Sequence, residues 1–186
     1  MRRGFKTQAE KSAAEARKAL GVPKNGQLDP WVYAEHLKVI VLNFSDLGLS
    51  DSAVRQLTIV DQRSWSAMTL EEDGIPAIVV NPAHAATRQA NDLMHELAHL
   101  ELRHTPGRVE VSDSGIFLLS DYSDDQEQEA DWYAGAMLLP RDALWHHRSR
   151  AKSTEDIAKL YGVSSALCEW RLRMTGIDIQ LKRMRG

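Results

Sequence analysis

Ala85-Ala86-Thr87-Arg88-Gln89-Ala90-Asn91-Asp92-Leu93-Met94-His95-Glu96-Leu97-Ala98-His99-Leu100-Glu101-Leu102-Arg103 is the stretch from which the rest of the chain can be read. No helix breaker stands between Pro82 and Pro106, and Ala90, Leu93, Met94, Leu97 and Leu100 recur at three- and four-residue steps. That period predicts one long amphipathic helix over Ala85–Arg103. His95 and His99 stand four apart in its middle, one turn apart on the same face, and Glu96 follows the first of them. Two imidazoles so placed can reach one ion, while Glu96 projects beside it toward an open coordination position. Random placement would give this His-Glu-x-x-His pattern roughly 0.02 times in such a chain. A solvated helix face could carry both histidines with no ion, so a third ligand decides between the two readings.

A hydrolytic metal site of this kind takes three protein ligands and leaves one position for water. The source is Glu127-Gln128-Glu129-Ala130-Asp131-Trp132-Tyr133-Ala134, on a second helix that Ser123 caps and that runs to Leu139 before Pro140. Glu127 and Asp131 share one face, so Glu127 can ligate while Asp131 accepts the outer N–H of a ligating histidine. Glu129 points elsewhere on that helix and becomes the ligand only if the helix starts later. The acidic start Asp124-Asp125-x-Glu127-x-Glu129 also suits a helix N-terminus by itself.

Toward the N-terminus, Ala9, Ala13, Ala16 and Leu20 predict a helix over Thr7–Leu20, ended by Gly21 and Pro23. Asp29-Pro30 caps a short helix to about Lys38. Val39–Phe44, Leu57–Asp61, Trp65–Leu70 and Ile75–Asn81 read as strands of a small sheet, the last two joined by Glu-Glu-Asp-Gly. Thr105–Ser120 reads as loop with one short strand at Ile116–Leu119, and Thr154–Tyr161 and Ser164–Thr175 as two further helices.

The 186 residues, 43% apolar and 26% charged, suit a globular chain and exclude disorder and fibres. No apolar run approaches the roughly 18–20 residues of a bilayer span, and Met1-Arg2-Arg3-Gly4-Phe5 has no apolar stretch behind its charges, so neither membrane nor signal peptide is expected. A lone cysteine, Cys168, closes no disulfide and builds no thiolate cage; the expectation is a cytoplasmic protein whose metal would use His and carboxylate ligands. The net charge of −3 argues against a general nucleic-acid binder, yet residues 141–186 carry ten Lys/Arg against five Asp/Glu. Asp156-Ile157-Ala158-x-x-Tyr161-Gly162-Val163-Ser164, with Leu167, Trp170 and Leu172 beyond, has the outline of a helix-turn-helix. A DNA-binding regulator using 154–175, or a non-catalytic interaction module, is therefore the alternative reading, although Glu169 and Trp170 suit αα packing equally well.

The chain resembles the ImmA/IrrE metallo-endopeptidases, zincin-like cytoplasmic enzymes often found in phages and mobile elements. The likeness lies in Ala9–Leu20, Leu28-Asp29-Pro30 with Ala34-Glu35-His36-Leu37, Ile78-Val79-Val80-Asn81, Arg88, His95–His99 with His104, and Glu127–Pro140 with its Met137-Leu138-Leu139-Pro140 ending. Met94 stands where these proteins often have Ala. The resemblance implies His95, His99 and Glu127 as ligands of Zn2+, or Mn2+, and Glu96 as the catalytic base. It further implies a specific cytoplasmic protein as substrate, such as a helix-turn-helix transcriptional repressor encoded nearby, so that cleavage regulates genes. His104 and Tyr122, then Tyr133 and Arg88, are the side chains able to help the transition state. The expected architecture is α+β: a zincin-like metallopeptidase core over 1–140, with a small mostly antiparallel sheet and the His-Glu-x-x-His helix, and a C-terminal helical extension over 141–186 packed on it.

Overall fold

A computed structural model describes residues 1–72, 74–111 and 117–185, with the side chains of 72, 111, 117, 118 and 185 left aside. Its first helix, α1 (Phe5–Ala19), buries Phe5, Ala9, Ala13 and Ala16. These small side chains let it lie close against the helix that carries the acidic motif, α5 (Asp124–Leu138). Asp29 caps α2 (Pro30–His36) by accepting from the Trp31 N–H at 2.8 Å. Strand β1 (Ile40–Leu42) is shorter than expected, because Asn43 and Asp46 cap each other and start a 3-10 turn over Phe44–Leu47.

The strand expected at Leu57–Asp61 is helical instead. Ser50 caps α3 (Asp51–Arg55) by accepting from Ala53 N–H, and the helix widens into a π turn over Gln56–Val60. The β-branched run Thr58-Ile59-Val60 suggested a strand, but Thr58 Oγ1 donates back to Val54 O at 2.8 Å and Trp65 Nε1 donates to Leu57 O at 3.0 Å. Local helical bonds and a covering indole thus satisfy the segment, and Ile59 and Val60 stay exposed.

Strands β2 (Ala67–Glu72) and β3 (Ile75–Val80) pair antiparallel, and β1 joins β3 in parallel. Beyond β2 lie β5 (Phe117–Ser120) and then β4 (Arg108–Val111), both antiparallel, giving the order β1-β3-β2-β5-β4. The sheet is small and mostly antiparallel, as expected. β4 falls where only loop was foreseen: Thr105-Pro106-Gly107 reads as turn, and the exposed Arg108, Val109 and Glu110 carry no buried stripe. Of the strand foreseen at Ile116–Leu119, Ile116 lies outside the described residues. Helix α4 (Ala86–Glu101) lies on β2 and β3 with Ala90, Leu93, Met94, Leu97 and Ala98 buried.

After Pro140 the chain forms α6 (Arg141–Arg148), α7 (Thr154–Tyr161), α8 (Ser165–Thr175) and α9 (Ile177–Arg185), of which α6 and α9 were not foreseen. Ile157, Leu172 and Ile177 belong to the same apolar cluster as Leu97 and Met137. Arg171, fully buried, donates from Nε to the Leu139 carbonyl at 3.0 Å and pairs with Glu10 of α1. The architecture is α+β.

Candidate metal centre

Helix α4 carries His95, Glu96 and His99 along one side. The i, i+4 spacing brings His95 Nε2 and His99 Nε2 to 3.0 Å. The first turn of α5, fixed by the Ser123 cap, delivers Glu127: its Oε2 lies 3.1 Å from His95 Nε2 and its Oε1 3.7 Å from His99 Nε2. A tetrahedral site with bonds of about 2.0–2.1 Å needs neighbouring ligand atoms roughly 3.3–3.4 Å apart. The three observed separations bracket that figure, and two nitrogens with one carboxylate are a donor set that zinc or manganese accepts. His95, His99 and Glu127 could therefore hold an ion, their ligand atoms all lying within 4.8 Å of one another.

The surroundings hold these groups in place. Asp131 Oδ1 sits 3.1 Å from His95 Nδ1, the nitrogen turned away from the convergence point. On the other ligand, His104 Nδ1 lies 3.1 Å from His99 Nδ1, and Tyr122 stacks on the His99 ring with centroids 3.8 Å apart. Burial, together with the neighbouring His95 and His104 rings, lowers the His99 pKa to about 3, so its imidazole is neutral. Burial opposes charge on His95 too, but the hydrogen bond with Asp131 and the carboxylates of Glu96 and Glu127 outweigh it and raise that pKa.

Glu96 accepts a hydrogen bond of 2.5 Å from Thr69 Oγ1. Burial raises the Glu96 pKa, and the Thr69 hydroxyl and His95 pull against that rise. The register explains the contact. Thr69 stands directly opposite Ile78 in the β2–β3 ladder, on the sheet face that α4 covers. Shifting the pairing by one residue would present Met68 there instead. Thr69, only 1% exposed, was not singled out in the sequence, where one threonine between Met68 and Leu70 reads as ordinary strand alternation.

These groups open onto a cleft of about 470 Å³ whose walls include Ser66 and Met68 at the start of β2 and Asp121 and Tyr122 after β5. Residues 35–173 match the family model of the IrrE N-terminal-like domain, Peptidase_M78. The chain belongs to the ImmA/IrrE family. That family is one of peptidases; no curated protein and no solved structure matches the chain.

In this ImmA/IrrE chain the other singled-out side chains fall in three places. Tyr122 is on the cleft wall. Arg88 stands on the rim, donating to Ser66 Oγ at 2.8 Å and facing Asp92 at 3.5 Å. Tyr133 is turned away, its hydroxyl donating to Glu101 Oε2 at 3.3 Å, and His104 lies behind His99 with its side chain 5% exposed. Glu129, the rival ligand, faces away from the histidine pair and accepts from Arg2. In α8 the helix-turn-helix outline puts Cys168, Arg171 and Leu172 inside, and the outer face carries Ser165, Ala166, Glu169 and Arg173. Among the described residues no helix is long and apolar enough to cross a membrane.

Proposed function

We propose that this protein is a metal-dependent endopeptidase of the cytoplasm that cuts a specific protein, a helix-turn-helix transcriptional repressor. One observation carries the catalytic part: His95, His99 and Glu127 converge in the same cleft into which Glu96, held by Thr69, is placed. The protein substrate rests on the family resemblance.

When bound by these three residues, zinc or manganese supplies Lewis acidity, bringing the pKa of a water toward neutrality and polarising a peptide carbonyl. The chain's own groups do the rest. Glu96 takes a proton from the attacking water as its oxygen bonds to the carbonyl carbon. The same carboxyl then passes that proton to the amide nitrogen as the C–N bond breaks, leaving a carboxylic acid and an amine. Thr69 keeps the Glu96 carboxylate in one orientation through both transfers. Tyr122 is the cleft-wall phenol assigned to the oxyanion that develops on the carbonyl. Asp131 fixes the His95 ring so that its Nε2 lone pair faces Glu127.

The test is intact-mass analysis of the adjacently encoded repressor after incubation with zinc-loaded protein. The expected result is two fragments whose masses sum to the repressor plus one water, with none from a chelated sample. The Glu96→Gln protein should keep about one metal per chain and lose activity by on the order of 10²–10⁴. Full cleavage by Glu96→Gln would remove Glu96 as the base. An intact repressor alongside cleavage of other proteins would leave the peptidase and discard this substrate.

A further inference from the structure

We infer that His104 and Glu129 are positioning residues for His99, forming a buried relay that Arg2 closes and that fixes the ring through which this ligand would hold the metal. The inference rests on the metallopeptidase reading above and extends it to residues that touch neither ion nor substrate. His99 turns Nε2 toward His95 and Glu127 and Nδ1 toward His104 Nδ1 at 3.1 Å. A ligating imidazole nitrogen carries no proton, so the one proton of a neutral His99 sits on Nδ1 and is donated to His104 Nδ1. His104 must then keep its own proton on Nε2. That atom is buried, has no hydrogen-bond partner within normal reach, and faces Glu129 Oε2 across 3.6 Å.

Glu129 is itself held on every side. Arg2 donates from Nε to Oε1 and Oε2 at 3.0 Å, from Nη2 to Oε2 at 2.7 Å, and from its backbone N–H to Oε1 at 2.8 Å. The side chains of His99, His104 and Glu129 are 1%, 5% and 5% exposed. A carboxylate so buried costs free energy unless it is paired, and apolar replacements of such groups are often neutral or stabilising. A plain fastening of the chain's first residues to α5 would be made as well at the surface. What burial adds is a fixed acceptor behind His104, whose Nε2 is itself shielded from water.

The contrast with His95 supports the assignment. Its outer nitrogen faces Asp131, whose side chain is 65% exposed. One ligand thus has a solvated carboxylate behind it and the other a buried imidazole–carboxylate pair, held from the surface by the largely exposed Arg2 guanidinium.

The experiment measures zinc affinity of the purified full chain by competition with a chromophoric chelator, beside the melting temperature of the zinc-free protein. Glu129→Ala and His104→Phe should each bind zinc about 10–100-fold more weakly, Arg2→Ala somewhat less so, and the remote Glu35→Ala like wild type. Glu129→Gln, which keeps the shape and an acceptor, should recover part of the loss. Histidine ¹⁵N spectra of the zinc-free protein give an independent readout: His99 as the Nδ1–H tautomer in wild type, and a mixture of tautomers in Glu129→Gln or Glu129→Ala. Wild-type affinity in both Glu129→Ala and His104→Phe, or an Nε2–H tautomer of His99 in wild type, overturns the relay while leaving the peptidase reading intact. An affinity loss accounted for by unfolding of the zinc-free variants, with His99 tautomer unchanged in Glu129→Gln, overturns it as well. A wild-type chain that takes up no zinc removes both.

Discussion

Thr69 makes the shortest polar contact to Glu96 and is the residue whose loss should separate orientation from metal binding. Thr69→Val keeps the shape and removes the hydroxyl. A hydrogen bond to a charged group is worth about 1.5–3 kcal/mol, which is about a tenfold to hundredfold change in rate. Cleavage by Thr69→Val should fall within that range while metal content by mass spectrometry stays at the wild-type value. Unchanged cleavage would mean that Glu96 needs no such anchor. At Cys168, burial moves the thiol from its ordinary 9 up to about 11. Disulfide-exchange labelling at pH 8 should therefore be slow in the native protein and fast in denaturant. The folded-state pKa is raised, so above pH 9 the unfolded chain ionises this thiol first; stability is intact below 9 and is lost progressively through about 11. Cys168→Ala should flatten that part of a melting-temperature profile against pH. Among single residues, the His95–His99 pair and Glu127 were legible because i, i+4 spacing is a property of the chain alone. Thr69 was not, since its position under Glu96 depends on the register of two strands, and the roles of Arg2 and His104 depend on contacts with segments far away in sequence.

Helix α5 owes its place to smallness. An added Cβ at Gly135 would stand 2.7 Å from Trp170 Cζ3 and 2.9 Å from Arg171 Cδ. Ala in mid-helix gains about 0.8–1.0 kcal/mol over Gly in propensity. Overpacking against an indole costs about 1–3 kcal/mol, and the ring is not a flexible tip that swings aside. Gly135→Ala should thus lower stability by roughly 1 kcal/mol, read as a drop in urea midpoint; a rise would mean that α8 moves away without cost. The same scale shows where sequence patterns lose their hold. Long periodic segments, α1, α4 and α5, were foreseen within a few residues of their bounds. Two short ones were not: β4 is an exposed edge with no apolar alternation, and the run at 57–60 satisfies strand composition while its bonds are helical. For pieces of four or five residues, the neighbours available to pair with them decide the outcome.

Across the whole molecule, Arg171 ties three distant parts together, Glu10 of α1, the end of α5 at Leu139, and α8 itself. Arg171→Met takes the guanidinium away from Glu10, which keeps only the Arg141 backbone N–H at 2.8 Å, and from the Leu139 carbonyl. Stranding one half of a buried pair costs about 3–5 kcal/mol, and the lower end applies because the Glu10 side chain is 24% exposed. The expected result is a urea midpoint shifted down with the transition still single, because Ile157, Leu172 and Ile177 share a core with Leu97 and Met137. Two separated transitions would show residues 141–185 unfolding on their own. The α+β class was readable from the order of patterns along the chain. What the basic excess after Pro140 conceals is that one of its arginines lies inside the core rather than on a face presented to a partner. The packing of α1 on α5 also matters while the protein is being made. Helix α1 leaves the ribosome more than a hundred residues ahead of its partner, a wait on the order of ten seconds at ordinary rates of synthesis. Leucines at positions 9, 13 and 16 would be adhesive throughout that interval; alanines offer passing chains little to hold.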